Sequence, residues 1–168
     1  MKDFSRRRFV LGTTAAAATG ALAGCSGNGN GNGNGNGMDD GNGNGAADDP
    51  TSRAEAFLGD NDANGFDSMA DHTGEDEVVV DVGAGDNGFQ FAPAGIVVDA
   101  GTTVVWEWTG AGGGHNVHSE GESDFEFESE RTDEEGFTFE QTFDEEGLGA
   151  YVCTPHRAQA MYGAVAVE

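Results

Sequence analysis

The sequence predicts an all-β fold: a small β-sandwich of roughly 90 residues, preceded by an export signal peptide and a disordered linker. Three observations point there. From Glu77 onward, short runs of Val, Ile, Phe and Trp are separated by turn residues, the spacing of an all-β domain. In the clearest run, Thr102–Thr109, the residues Val104, Trp106 and Trp108 recur at a period of two while Glu107 takes the opposite face. Between Ser26 and Pro50 the chain is mostly Gly-Asn repeats with almost no apolar surface to bury, so it should be disordered.

Residues 1–24 read as an address. Ser5-Arg6-Arg7-Arg8-Phe9-Val10 is a twin-arginine pattern, the mark of export in the folded state. The apolar run Phe9–Ala23 is too short for a comfortable span and ends in small residues, as a signal does. Leu22-Ala23-Gly24-Cys25 resembles a lipobox, which implies cleavage before Cys25 and a lipid on its sulfur; the alternative is an ordinary export signal with a chance cysteine. A lipid on Cys25 leaves Cys153, the other cysteine, without a disulfide partner. An unpaired thiol outside the cell is exposed to oxidation and needs a reason, and a metal bond is one. The competing arrangement is a Cys25–Cys153 disulfide tying the tail to the domain.

The full chain carries 31 acidic and 7 basic residues, a formal charge of −24. Without residues 1–24 it keeps 30 acidic residues and three basic ones, Arg53, Arg131 and Arg157, a charge of −27 with no lysine. Such a charge repels itself in ordinary salt, whereas at 1 M the screening length falls to about 3 Å. The composition therefore suits a very salty medium. It excludes nucleic acid as a partner, since nothing here neutralises phosphates, and leaves the lipid as the means of holding to a membrane.

In chain order, residues 25–50 form the lipidated cysteine and its tether, whose Gly-rich coil reaches roughly 25–30 Å. Residues 51–76 form an N-terminal arm. There Ser52-Arg53-Ala54-Glu55 fits a capping box, and Ala56-Phe57-Leu58 runs to a stop at Gly59, giving one or two helical turns. Phe57, Leu58, Phe66 and Met69 are the expected anchors, and His72, in a polar run, a surface residue. Residues 77–168 form the sandwich. Val78–Val82 is β-branched; Phe89 and Phe91 alternate, with Pro93 restricting their strand to an edge or its start. Ile96–Val98 precedes a turn at Asp99-Ala100-Gly101, and Thr102–Thr109 follows it. Strands are then expected at His115–His118, around Phe125 and Phe127, over Phe137–Phe143, at Gly149–Cys153 and at Gly163–Val167. No C-terminal anchor is expected after the last strand.

The chemistry concentrates in Tyr151-Val152-Cys153-Thr154-Pro155-His156-Arg157-Ala158-Gln159-Ala160-Met161, a C-x2-H-x4-M loop. A thiolate with two imidazoles and a weak axial thioether is the donor set of a blue-copper electron-transfer site. The loop holds three of these, and a second histidine must come from elsewhere. His115 and His118 are three apart, so on a strand only one faces inward. His115 follows Gly112-Gly113-Gly114 and precedes Asn116; His118 runs into the solvated stretch Ser119-Glu120-Gly121.

Together, C-x2-H-x4-M near the C-terminus, Gly114-His115-Asn116-Val117 upstream and a last strand after Met161 resemble the plastocyanin group of cupredoxins. The leader, the Gly-Asn linker, the acidic surface and Val104-Val105-Trp106-Glu107-Trp108-Thr109-Gly110 resemble the halocyanins, blue-copper proteins of halophilic archaea. The resemblance covers residues 51–168. It implies a cupredoxin-like Greek-key sandwich binding one type 1 copper, with His115, Cys153 and His156 near-trigonal and Met161 as the long axial ligand. It also implies that Asn116, paired with Thr154, braces the loop and helps a backbone amide reach the thiolate. One departure stands out: plastocyanins place Tyr directly before the cysteine, and here Val152 holds that position, with Tyr151 one residue back. That puts a remote electron route in doubt and favours the exposed edge of His156 as the port, ringed by Pro155, Ala158, Ala160 and Met161.

The reading is thus a one-electron carrier, a monomer and not an enzyme, docking to membrane-bound redox proteins at the extracellular face of the cell membrane. Its rivals are a copper-binding lipoprotein for storage or delivery, a zinc site, and a metal-free surface module. Zinc fits less well, since a structural site prefers four Cys or His ligands. A copper enzyme needs a second copper site, which His72 and His118 are too few to build.

Overall fold

The computed structural model describes residues 49–168. The signal peptide, Cys25 and the linker up to residue 48 lie outside the described residues.

The described chain opens with helix α1 (Pro50–Asp60). Asp49 caps it, its carboxylate accepting the Ser52 N–H at 2.9 Å, and Pro50 takes the first turn, where a missing N–H costs nothing. The capping box expected at Ser52 is therefore displaced. Asp49-Pro50 supplies both the acceptor and a preset φ, and the helix runs about three turns rather than one or two. It passes Gly59 and ends at Asn61, whose side-chain amide donates to the Phe57 carbonyl.

Nine strands follow: β1 (Ala70–Asp71), β2 (Glu77–Ala84), β3 (Gln90–Ala92), β4 (Gly95–Val98), β5 (Thr102–Trp108), β6 (His118–Ser119), β7 (Thr138–Phe143), β8 (Gly147–Val152) and β9 (Tyr162–Val167). They build two sheets, ordered β1-β4-β9-β8-β6 and β3-β2-β5-β7. β2 runs parallel to β5, and β4 parallel to β9, so the chain crosses between the sheets. β3 lies at a sheet edge, as Pro93 demands.

The period of two places the core. Val78, Val80 and Val82 of β2 and Val104, Trp106 and Trp108 of β5 face Ile96 and Val98 of β4 and Val165 and Val167 of β9. The outer face of the first sheet is covered too, so β8 and β9 are buried on both sides. There α1 lays Ala54, Phe57 and Leu58 on Leu148 and on Ala150, Ala164 and Ala166, whose small side chains let the helix approach; Phe66 and Met69 pack on the same cluster. The expected anchors of the arm do anchor it.

Close approach is also why Gly163 stands in β9. A Cβ there would overlap the ring of Tyr151, which is fully buried and cannot swing away. Gly163→Ala is expected to cost at least about 1–3 kcal/mol by overpacking. Urea unfolding at fixed high salt measures it; an unchanged midpoint would show that the Tyr151 ring has room to move.

The outer face of the second sheet is acidic. Asp81 lies in register beside Glu107, both exposed, and like charges placed so repel unless salt screens them. Two expected strands are shorter than the pattern suggests. His115 makes one isolated bridge, to Thr132, and only His118–Ser119 pair regularly. The buried Ser129 hydroxyl takes the Val117 N–H at 2.9 Å and so replaces a rung of backbone ladder. Phe125 and Phe127 lie in irregular chain, each edge-on to Phe143.

Candidate metal centre

β8 delivers Cys153 to one end of the sandwich as a free, fully buried thiol. The chain then turns through a 3-10 helix, Thr154–Gln159, reverses at Ala160 in the left-handed region (φ 53°), and enters β9 after Met161. Three backbone bonds close the loop. His156 N–H donates to the Cys153 carbonyl (2.9 Å), Cys153 N–H to the Met161 carbonyl (3.0 Å), and Met161 N–H to the His156 carbonyl (3.3 Å).

His115 arrives from the glycine-rich loop after β5. Its Nε2 lies 2.8 Å from the Ala111 carbonyl oxygen. A carbonyl cannot donate, so this contact is a hydrogen bond only when Nε2 carries the proton, which leaves Nδ1 as the bare nitrogen. Glycine makes room for the ring. A Cβ on Gly112, itself at φ +79°, would overlap the Gly88 carbonyl and stand 2.9 Å from His115 Nε2.

The bare Nδ1 points at the loop. His115 Nδ1 is 3.4 Å from Cys153 Sγ, His156 Nδ1 is 3.2 Å from it, and the two nitrogens are 3.1 Å apart. A point equidistant from the corners of this near-equilateral triangle lies about 1.9 Å from each, close to the roughly 2.0–2.3 Å of nitrogen and thiolate bonds to a first-row divalent ion. His115, Cys153 and His156 thus form a group able to hold a metal ion. Three such ligands leave the set one short of a structural zinc site.

Electrostatics suits the same use. Burial pushes the pKa of His115 and of His156 below the ordinary imidazole value, and the positive charge of Arg131 acts in the same direction. Both rings are then neutral and able to ligate. Burial pushes the Cys153 thiol up, against the opposing pull of the Asn116 and His156 backbone amides. The metal-free thiol is protonated, so metal uptake must release that proton.

Asn116 Oδ1 accepts the backbone N–H of Thr154 at 2.9 Å and its hydroxyl at 3.0 Å, bracing the start of the loop. Met161 is fully buried in the core cluster that holds Cys153. It therefore cannot belong to the exposed apolar rim expected around His156. That rim keeps partly exposed Pro155 and Ala160 and exposed Ala158. His118 faces Glu128 at 3.5 Å, and His72 bonds Glu75 at 3.2 Å, neither of them in the metal-holding group. Tyr151 is fully buried against Phe91 and Trp106, and Val152 is buried in β8, so neither offers an exposed route. The sequence reading missed Phe89, whose ring lies 4.7 Å from that of His156. Its alternation with Phe91 suggested a strand, and no local signal tied it to a histidine far along the chain.

Residues 78–168 match the copper binding proteins of the plastocyanin/azurin family. The chain is 69% identical over 169 residues to a halocyanin from Natronomonas pharaonis, with 100% of both chains covered. It is 31% identical over 99 residues to a plastocyanin from Scenedesmus fuscus, covering 55% of this chain and 100% of that one. Among solved structures it is similar to a purple cupredoxin from Nitrosopumilus maritimus, at 27% identity and a TM-score of 0.45, over 54% of this chain and 99% of that chain.

Proposed function

This chain belongs to the plastocyanin/azurin family of copper-binding proteins, and from that premise we propose that it is a type 1 blue-copper carrier of single electrons at the outer face of the cell membrane. The observation that carries this reading is the triangle of two imidazole nitrogens and one thiol sulfur, with His115 and Cys153 buried and His156 partly exposed. When bound, copper supplies a one-electron Cu(II)/Cu(I) couple. His115, Cys153 and His156 would supply the strong donors and Met161 a weak thioether, a set that serves both oxidation states.

The chain's own contribution is to hold these groups still. Ala111 orients His115, Asn116 holds Thr154, and Phe89 lies against the His156 ring, so the donor atoms need little rearrangement between the two states. His115 is fully buried, whereas His156 is partly exposed, and that ring edge is the port for electrons. Fixed donors suit a carrier, whereas a protein that stores or delivers copper needs an exchangeable site. The twin-arginine route, the lipid on Cys25 and the linker to residue 50 would place the domain within reach of membrane-bound redox proteins. Among the described residues no helix is long and apolar enough to cross a membrane.

The test is the visible spectrum of the Cu(II)-loaded protein in high salt. An intense blue band that bleaches with ascorbate and returns on oxidation supports the carrier. A folded protein without the band would favour zinc or a metal-free role, and a blue protein that surrendered its copper rapidly to a chelator would favour delivery. Met161→Leu should keep copper and raise the reduction potential, because losing an axial donor favours Cu(I). A tenfold change in the preference between the two states is about 59 mV for one electron. Potentiometry reads the shift, and an unchanged potential removes Met161 from the ligand set.

A further inference from the structure

The stretch that matches the copper-binding family begins at residue 78, yet a residue well before it reaches the metal centre. Asn64 lies in the turn after α1, and three hydrogen bonds converge on it. Its backbone N–H donates to the Ala160 carbonyl at 2.8 Å. Its side-chain Nδ2 donates to the Phe89 carbonyl at 3.2 Å, and its Oδ1 accepts from Gln90 Nε2 at 3.1 Å. The Gln90 amide is itself fixed: a Cβ on Gly65 would stand 2.8 Å from it, and one on Gly85 2.5 Å.

The two segments Asn64 joins are those that flank the outer ligands. Ala160 immediately precedes Met161 and sits in the left-handed region, which a residue with a Cβ holds only if its surroundings enforce it. Phe89 packs on His156. No side chain of the 3-10 helix between Cys153 and Ala160 is buried, so core packing does not position it. Asn116 secures its start through Thr154. Near its end the Asn64 N–H reaches the Ala160 carbonyl from outside the loop, and the exposed Arg157 side chain pairs with Glu120.

We propose that Asn64 is a positioning residue of the metal centre, bridging Ala160 to the Phe89–Gln90 edge so that His156 and Met161 are held in place against His115 and Cys153. The N-terminal arm is thereby part of the site and not only a cover for the outer face of the first sheet. The proposal rests on the copper reading above.

The experiment compares Asn64→Ala with the parent protein and with Arg53→Gln. Ala removes the side-chain bridge and keeps the backbone N–H. Arg53→Gln loosens α1 at its two-bond contact with Asp124, whose Oδ2 also accepts the Leu148 N–H, near the far end of β8 from Cys153. Substitutions that disturb the partners of metal ligands lower metal affinity by about 10–100-fold. We expect Asn64→Ala to lose about tenfold in chelator competition, near the low end of that range, and to shift the visible band. In the metal-free protein, the Met161 amide should exchange its hydrogen faster. Arg53→Gln should lower stability with band and affinity unchanged. If Asn64→Ala does not fold, Gln90→Ala, which removes the partner of Asn64 Oδ1, should move the same observables in the same direction. Parent-like band, affinity and exchange in the folded Asn64 or Gln90 variant would overturn the proposal, as would equal spectral shifts in Arg53→Gln. A parent protein without a blue band would overturn the copper reading instead.

Discussion

Cys153→Ser is expected to abolish the blue band while leaving the sandwich folded. The thiol is fully buried at the meeting point of two imidazoles, 3.4 Å and 3.2 Å away. A serine hydroxyl in its place is slightly smaller, keeps the shape and can still receive the amides of Asn116 and His156 that face the sulfur. It does not ionise near neutral pH and offers no soft donor, so the site keeps two nitrogens and loses the ligand that gives the colour. If the hydroxyl is left imperfectly bonded, the cost is about 1–3 kcal/mol, which a domain of ordinary stability survives. Far-UV circular dichroism checks the fold, and the absorption of the Cu(II)-loaded variant checks the site. A folded variant that kept an intense blue band would remove Cys153 from the ligand set and, with it, the central observation behind the proposed function.

Trp106→Ala carries the largest expected cost to stability, about 3–5 kcal/mol. Trp106 is fully buried at the centre of the sandwich. Its ring stacks on Phe127 (5.6 Å) and meets Tyr151 edge-on (5.3 Å), with Phe139 and Phe143 also in contact. Truncation leaves a cavity bounded by both sheets, which cannot collapse without moving Val104 and Trp108 on the same strand. Against a total of about 5–15 kcal/mol, the loss is about a fifth of the stability or more. Denaturant unfolding at constant high salt measures it, constant because the acidic outer sheet makes stability depend on screening. A loss below about 1 kcal/mol would show that the aromatic cluster repacks freely, against the close-packed core described here.

Much of this was legible in the chain. The period of two in Val104, Trp106 and Trp108 assigned the inner face of β5, and Phe57, Leu58, Phe66 and Met69 were readable as anchors because they are the large apolar residues of an otherwise polar arm. Cys153 and His156 were readable from residue type and spacing, since few other groupings of thiol, imidazole and thioether fit so short a loop, and His115 from its place after Gly112-Gly113-Gly114 and before Asn116. Local competition set the errors. Asp49-Pro50 outcompeted Ser52 as a helix start, and the Ser129 hydroxyl took a ladder bond from the strand expected at His115.

What the sequence by itself determined, then, is the alternation that makes a sandwich, the acidity that calls for salt, and which donors exist. These are properties of single residues and their near neighbours. What only the tertiary structure decided is how those donors are held: Ala111 selecting the His115 tautomer, Phe89 lying on His156, Met161 withdrawn from the surface, and Asn64 joined to Ala160. Each of these is a contact between segments distant in the chain. It depends on strand register and on the space that glycines such as Gly112 leave open, and neither is encoded at one position.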